Sequence, residues 1–165
     1  MTWDAYNRRK TVLRELLEVA DLRRDGVLPW DARVEQVFET PSELLFDLQM
    51  HWFQRLSGEV DRRIDRGDVD PESAAVSAWR QAAAHAPGAR AILDAHDDDP
   101  LLAKAHAKEL SMLAHAAGRA PLHHPAAPRI GARLRAEARA ISIEDAPSAG
   151  SHGGWFLRLR QALAA

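Results

Sequence analysis

Cysteine is absent from this 165-residue chain. Its absence excludes a disulfide framework, thiolate metal sites and a cysteine nucleophile. It also suits a reducing compartment, so a cytoplasmic protein is expected. Strand formers are scarce: there is one tyrosine, β-branched residues are few, and no run alternates with period two. No stretch approaches the ~18 uncharged apolar residues of a membrane span. The N-terminal MTWDAYNRRK holds no apolar segment of the kind that leads a secreted chain. No membrane association is expected. Motifs that carry chemistry are missing as well. There is no Gly-x-Ser-x-Gly elbow, no glycine-rich phosphate loop after a strand, no His-Glu-x-x-His and no Glu-x-x-His. Neither catalytic residues, a cofactor nor a metal is therefore expected, and an enzyme or metal protein stays a minor alternative.

Apolar residues make up 46% and charged residues 28%, ordinary values for a globular chain. The length fits one domain with a core of its own. The net charge of −2 is unevenly spread. Residues 25–118 carry a net −8 and residues 119–165 a net +4. A basic C-terminal stretch can meet an acidic partner or nucleic acid. Its arginines are spaced along helices and not clustered, so nucleic-acid binding is not expected.

Helical periodicity recurs along the chain. Val12, Leu13, Leu16, Leu17 and Ala20 make an apolar stripe on a helix from about Trp3 to Leu22, with Gly26 suited to a left-handed cap. A short helix follows Pro29. Thr40-Pro41-Ser42-Glu43 predicts a capping box and a helix to about Arg66, with Leu45, Leu48, Trp52, Leu56 and Val60 inward. Asp70-Pro71-Glu72 starts the next, whose inner face is Ala74, Ala75, Ala78, Trp79, Ala82 and Ala83. A short helix from about Ala89 to Ala95 follows the Pro87-Gly88 break. Asp99-Pro100 predicts a helix to Ala117 with a stripe of Leu102, Ala105, Leu110, Leu113 and Ala117. Residues 119–128 hold three prolines and read as a semi-rigid connector. A helix from about Arg129 to Ile143 and, after a Gly/Ser loop, a last one over residues 153–165 complete the map.

The expected fold is all-α, a single-domain bundle of six to seven helices. Residues 1–118 form its helical core, 119–128 the connector, and 129–165 a C-terminal helical extension packing on the core. Trp52, Leu48, Leu45, Leu56, Trp79, Ile92, Leu93, Leu102 and Leu113 should be buried.

Eight histidines invite a metal or acid–base reading. His106-x-x-Glu109 and Asp47/His51 each place two ligand types on one helix face, yet two ligands are too few for a site. The same holds for His123-His124. The acids of His96-Asp97-Asp98-Asp99 stand directly before Pro100, where they complement the positive end of a helix. Tryptophans carry the remaining signal. Trp52 and Trp79 lie on inner faces of the two central helices, as core or as lining of a small-molecule pocket between them. Trp3 and Trp155 close the ends of the bundle or anchor a partner.

Residues 37–118 resemble part of a TetR-family transcriptional regulator. Val37-Phe38-Glu39-Thr40-Pro41-Ser42-Glu43-Leu44-Leu45 is similar to the junction where that family's DNA-binding head enters its regulatory body. Ala84-His85-Ala86-Pro87-Gly88-Ala89-Arg90 resembles the family's later His-Pro-x-x-Arg break, and Arg8–Leu22 the first helix of the head. Only Arg23–Glu35 lies where the helix-turn-helix would sit, so no intact head is present. The resemblance implies a regulatory-body-like helical domain, often dimeric, with an internal ligand cavity.

Two functional expectations follow. The first is a non-enzymatic interaction or regulatory protein acting through protein–protein contacts, its partner another protein or a second copy. The second is a small-molecule-binding regulatory domain like TetR bodies, with Trp52 and Trp79 lining the pocket. Trp155, Phe156 and Leu159 are the candidate interface, because an aromatic pair beside arginine has the composition of an anchor. Thirteen residues are marginal for an isolated helix, so this segment must dock. Unfolding titrations of Trp155→Ala and Phe156→Ala separate the outcomes. A loss of about 3–5 kcal/mol makes the helix core, whereas unchanged stability with lost self-association makes it the interaction element.

Overall fold

The computed structural model describes residues 3–66 and 70–144, with side chains as far as residue 140. Among these residues the chain forms seven helices and no strand: α1 (Trp3–Arg23), α2 (Ala32–Glu35), α3 (Pro41–Asp65), α4 (Pro71–His85), α5 (Pro87–Ala95), α6 (Ala103–Ala116) and α7 (Ala127–Glu144). This is an all-α bundle. No helix among the described residues is long and apolar enough to cross a membrane.

Local chemistry sets most of the boundaries. The Asp31 carboxylate accepts from the Arg33 and Val34 amides and starts α2. Thr40 caps α3 by accepting from the Glu43 amide at 3.2 Å, with Pro41 supplying a helical φ at no hydrogen-bond cost. Asp70 and Pro71 repeat the device for α4. Three expectations need correction. The Glu43 carboxylate does not close a box on Thr40; it accepts from the Glu39 amide at 2.8 Å, one residue earlier, and pairs with Arg9. The left-handed residue closing α1 is Arg24 (φ 52), whose amide reaches the Ala20 carbonyl, while Gly26 (φ 73) shapes the turn after it. The helix expected from Pro100 begins at Ala103. Asp99 accepts from the Leu101 amide at 2.8 Å and from the Ser42 hydroxyl at 3.2 Å, so its carboxylate closes a turn instead of capping a helix.

α3 lies at the centre and packs against α1, α4, α5 and α6. The main pairings are α6 along α7, α3 along α4, α1 against α5 and α4 against α7. All nine residues expected in the core are buried. Phe38, Leu44 and Val76 join them. The segment from 119 to 126 runs in turns, with the His124 amide on the Pro121 carbonyl.

Two glycines allow the closest helix approaches. A Cβ on Gly88 would stand 2.0 Å from the Ala20 carbonyl carbon, and one on Gly131 would stand 1.9 Å from the Leu110 carbonyl oxygen. Both obstacles are backbone, so α1 against α5 and α6 against α7 cannot relieve the clash by a rotamer change. Gly88→Ala and Gly131→Ala are each expected to destabilise the protein by about 3 kcal/mol or more. Gly58→Ala, at a site in α3 with open space around it, is expected to stabilise by up to about 1 kcal/mol. Urea titration followed by circular dichroism reads all three.

Candidate functional site

Two places in the bundle hold more polarity or more exposed aromatic surface than packing needs. The first is internal. Trp52 and Trp79 are buried and meet edge to face, ring centroids 5.7 Å apart at 70°. The Arg90 guanidinium lies 4.8 Å over Trp52, and that of Arg139 lies 5.7 Å over Trp79. Arg90 is itself buried, and its Nε donates to Asp94 Oδ1 at 2.9 Å. Its Nη1 stands 3.9 Å from Oε1 of Glu109, a carboxylate with no exposed surface. Gln49 completes the group by donating to Glu109 Oε2 at 2.7 Å. Burial pushes the Arg90 guanidinium down from the ordinary arginine range, while Asp94 and Glu109 oppose the shift.

His106, one turn before Glu109 on α6, adds a titratable ring. Its Nδ1 is 3.7 Å from Asp97 Oδ1. Asp97 also receives both Nη atoms of Arg135, at 3.1 and 3.3 Å. Burial acts to raise the Asp97 carboxyl, but Arg135 and His106 hold it below the usual carboxylate range. Burial also lowers the His106 imidazole, against the pull of Asp97 and Glu109. Eight buried atoms of this region have no hydrogen-bond partner: Gln49 Oε1, Glu109 Oε1, His106 Nε2, Arg90 Nη1 and Nη2, Arg139 Nε and the indole nitrogens of Trp52 and Trp79. Among the described residues, no three His, Asp or Glu side chains converge as metal ligands would.

The second place is a groove of about 610 Å³ between α1 and α3, lined by Tyr6, Arg9, Leu13, Phe46 and Met50 among others. The Arg9 guanidinium lies 4.4 Å over the Phe38 ring and pairs with Asp47 and Glu43. The Asp47 bond and that pairing raise it above arginine's ordinary value, and Arg9 in turn lowers the Glu43 carboxyl. Phe46 is 44% exposed at the groove, Tyr6 49% and Trp3, one turn further out, 75%. Trp3 and Tyr6 stack on each other at 6.0 Å.

Of the residues expected to matter, Trp52 and Trp79 are therefore brought together in the interior. Trp155, Phe156 and Leu159 lie outside the described residues. The helix histidines read from the sequence as exposed or partly buried; His106 is buried beside Glu109, and the two take the inner face of α6 where Ala105 and Leu110 were expected. The sequence pattern marks Trp3 as a possible anchor and Arg90 only as part of a helix break, and gives no role to Gln49, Tyr6 or Phe46. A signal existed for some of them: Gln49 interrupts the apolar face of α3, and His106 and Glu109 complete the spacing from Leu102 to Leu113. No protein-family model matches the chain, and neither does any curated protein or any solved structure.

Two measurements probe the internal cluster. Arg90→Met alone is expected to cost about 3–5 kcal/mol, because Glu109 is left buried without a counter-charge, whereas Glu109→Leu leaves Arg90 its pairing with Asp94 and should cost less. The joint variant should recover most of that loss, a coupling that a double-mutant cycle reads. Stability should also fall as the pH drops below about 6.5, the ordinary histidine value. There the unfolded chain takes up a proton that the folded His106 refuses, so each pH unit inside the window costs up to about 1.4 kcal/mol. His51, also lowered by burial, adds to the slope with the same sign. His106→Gln should flatten the pH dependence without abolishing it.

Proposed function

We propose that this chain is a non-enzymatic interaction or regulatory protein, acting through protein–protein contacts made on its α1–α3 face. The carrying observation is the concentration of exposed aromatic surface there. Tyr6 and Phe46 line one groove together with Arg9, and Trp3 stacks on Tyr6 one turn beyond it. Aromatic and arginine side chains are the types that interface cores favour, and an exposed aromatic cluster beside a groove is the form a docking site takes. Trp155, Phe156 and Leu159 are a second proposed contact, on composition alone. The cysteine-free sequence supports a cytoplasmic setting for both.

A small-molecule-binding domain similar to TetR regulatory bodies is the second reading. One observation favours it: buried polar atoms without partners gather around Trp52, among them the Trp52 indole nitrogen and Glu109 Oε1. Buried polar groups are nearly always satisfied, so a polar guest between the helices would answer these atoms. Native mass spectrometry of the purified chain separates this reading: a retained small-molecule mass supports it, and a bare chain mass discards it.

The leading reading is tested by placing a photo-crosslinking phenylalanine analogue at position 46 in the expressing cell. Irradiation should give one defined crosslinked band. The same analogue in place of Glu137, exposed on α7, should give none. A chain that crosslinks to nothing at position 46 loses this function.

A further inference from the structure

We infer, resting on the α1–α3 reading, that the partner of this face is an acidic peptide segment of another protein, laid along α3 from the groove at Phe46 to a cationic shelf around Arg55 and Gly58.

The groove does not stop at its own edge. His51 and Gln54 line it and also line a shallow shelf further along α3, whose other residues are Arg55, Gly58 and Arg62. From Phe46 to Arg62 is about 24 Å of helix axis. A segment covering both places needs about 16 residues as a helix, or about 7 as an extended strand.

The charges left over on this surface are positive. Arg9 already engages Glu43 and Asp47, and Arg62 pairs with Glu59. Lys10 at the groove and Arg55 on the shelf have no carboxylate partner among the described residues. Arg55 Nε is moreover buried without a hydrogen-bond partner. No carboxylate lines the shelf. Burial and the Arg55 charge lower the His51 imidazole, against the pull of Asp21, so at neutral pH it stands beside Arg55 as an uncharged ring. An incoming carboxylate supplies the missing counter-charge through charge-assisted hydrogen bonds.

Gly58 points to a peptide and not to a small anion. Glycine weakens the interior of a helix. At Gly88 and Gly131 close helix packing requires it, but a Cβ on Gly58 would meet nothing within 4 Å. Bare backbone in the middle of the shelf suits the close approach of a second backbone. Leu13, Phe46 and Met50 give the same segment apolar anchors in the groove. A nucleic acid fits less well. Its phosphates follow one another along the strand and call for a row of cations, whereas Glu43 and Asp47 stand among the groove residues.

Selection from a random 16-residue peptide library displayed on phage, with the full purified chain as bait, tests this. The recovered peptides should be net acidic and carry apolar residues. Binding of a labelled recovered peptide, read by fluorescence anisotropy, should weaken at least tenfold on Arg55→Met and on Gly58→Leu. Neither variant should lower the melting temperature, which separates a lost contact from a damaged fold. Exchanging the peptide's acids for glutamine should weaken binding to the same degree. No binder, a neutral or basic pool, or peptides indifferent to either variant overturns the inference. So does a labelled oligonucleotide that binds the chain through Arg55, since the partner is then a nucleic acid. In the cell, the crosslinking analogue at position 54, common to groove and shelf, should give the same band as at position 46. A band from position 46 alone removes the acidic-segment inference and leaves the interaction reading standing. With no band from either position, both fall.

Discussion

A guanidinium and a carboxylate buried together impose the strictest condition on this bundle. Arg90 on α5 and Glu109 on α6 lose their water on folding, a cost that only close pairing and further hydrogen bonds offset. Gln49 on α3 binds the carboxylate, Asp94 binds the guanidinium, and the Trp52 ring supports the guanidinium from below. A slip of either helix by one turn, about 5.4 Å, would strand both charges. The cluster therefore works less as a source of stability than as a lock on register among α3, α5 and α6. The apolar core around it, rich in alanine and leucine, would tolerate several registers by itself.

The same constraint explains where the charges of the chain go. The acid-rich middle and the arginine-rich C-terminal stretch are complementary within the fold. Arg135 and Arg139 on α7 turn toward Asp97 and Asp94, and Arg119 pairs with Glu72. Much of the apparent basic tail is thus spent inside the molecule. Asp94 is shared between Arg90 and Arg139, so α7 is tied into the network that fixes α5 against α6.

Close packing then shapes the outer surface. Gly88 lets α5 approach the backbone of α1 near Ala20, and its amide donates to Asp21 Oδ1 at 2.8 Å. α1 is thereby held by its C-terminal half. Its N-terminal turns are more exposed and face α3 across the groove, joined to it by Arg9 on Glu43 and Asp47. The groove follows from that one-sided anchoring. A helix packed along its whole length would have covered Phe46 and left no room between α1 and α3.

Fold class and helix positions were legible in the sequence because they depend on neighbours in the chain. Thr40-Pro41 and Asp70-Pro71 announce helix starts through backbone geometry and local hydrogen bonds, and the leucines of α3 announce their burial by spacing alone. The candidate sites were not legible, for the opposite reason. Whether Glu109 is a solvated carboxylate or a buried one depends on Gln49, 60 positions away, and on Arg90 across a helix boundary. Whether Asp99 caps a helix or closes a turn depends on Ser42, 57 positions away. Trp3 and Trp52 are the same residue type on similar amphipathic helices, yet one is open to solvent and the other sealed. Periodicity along a chain records which face of a helix is apolar; only tertiary packing decides which of its turns another helix covers.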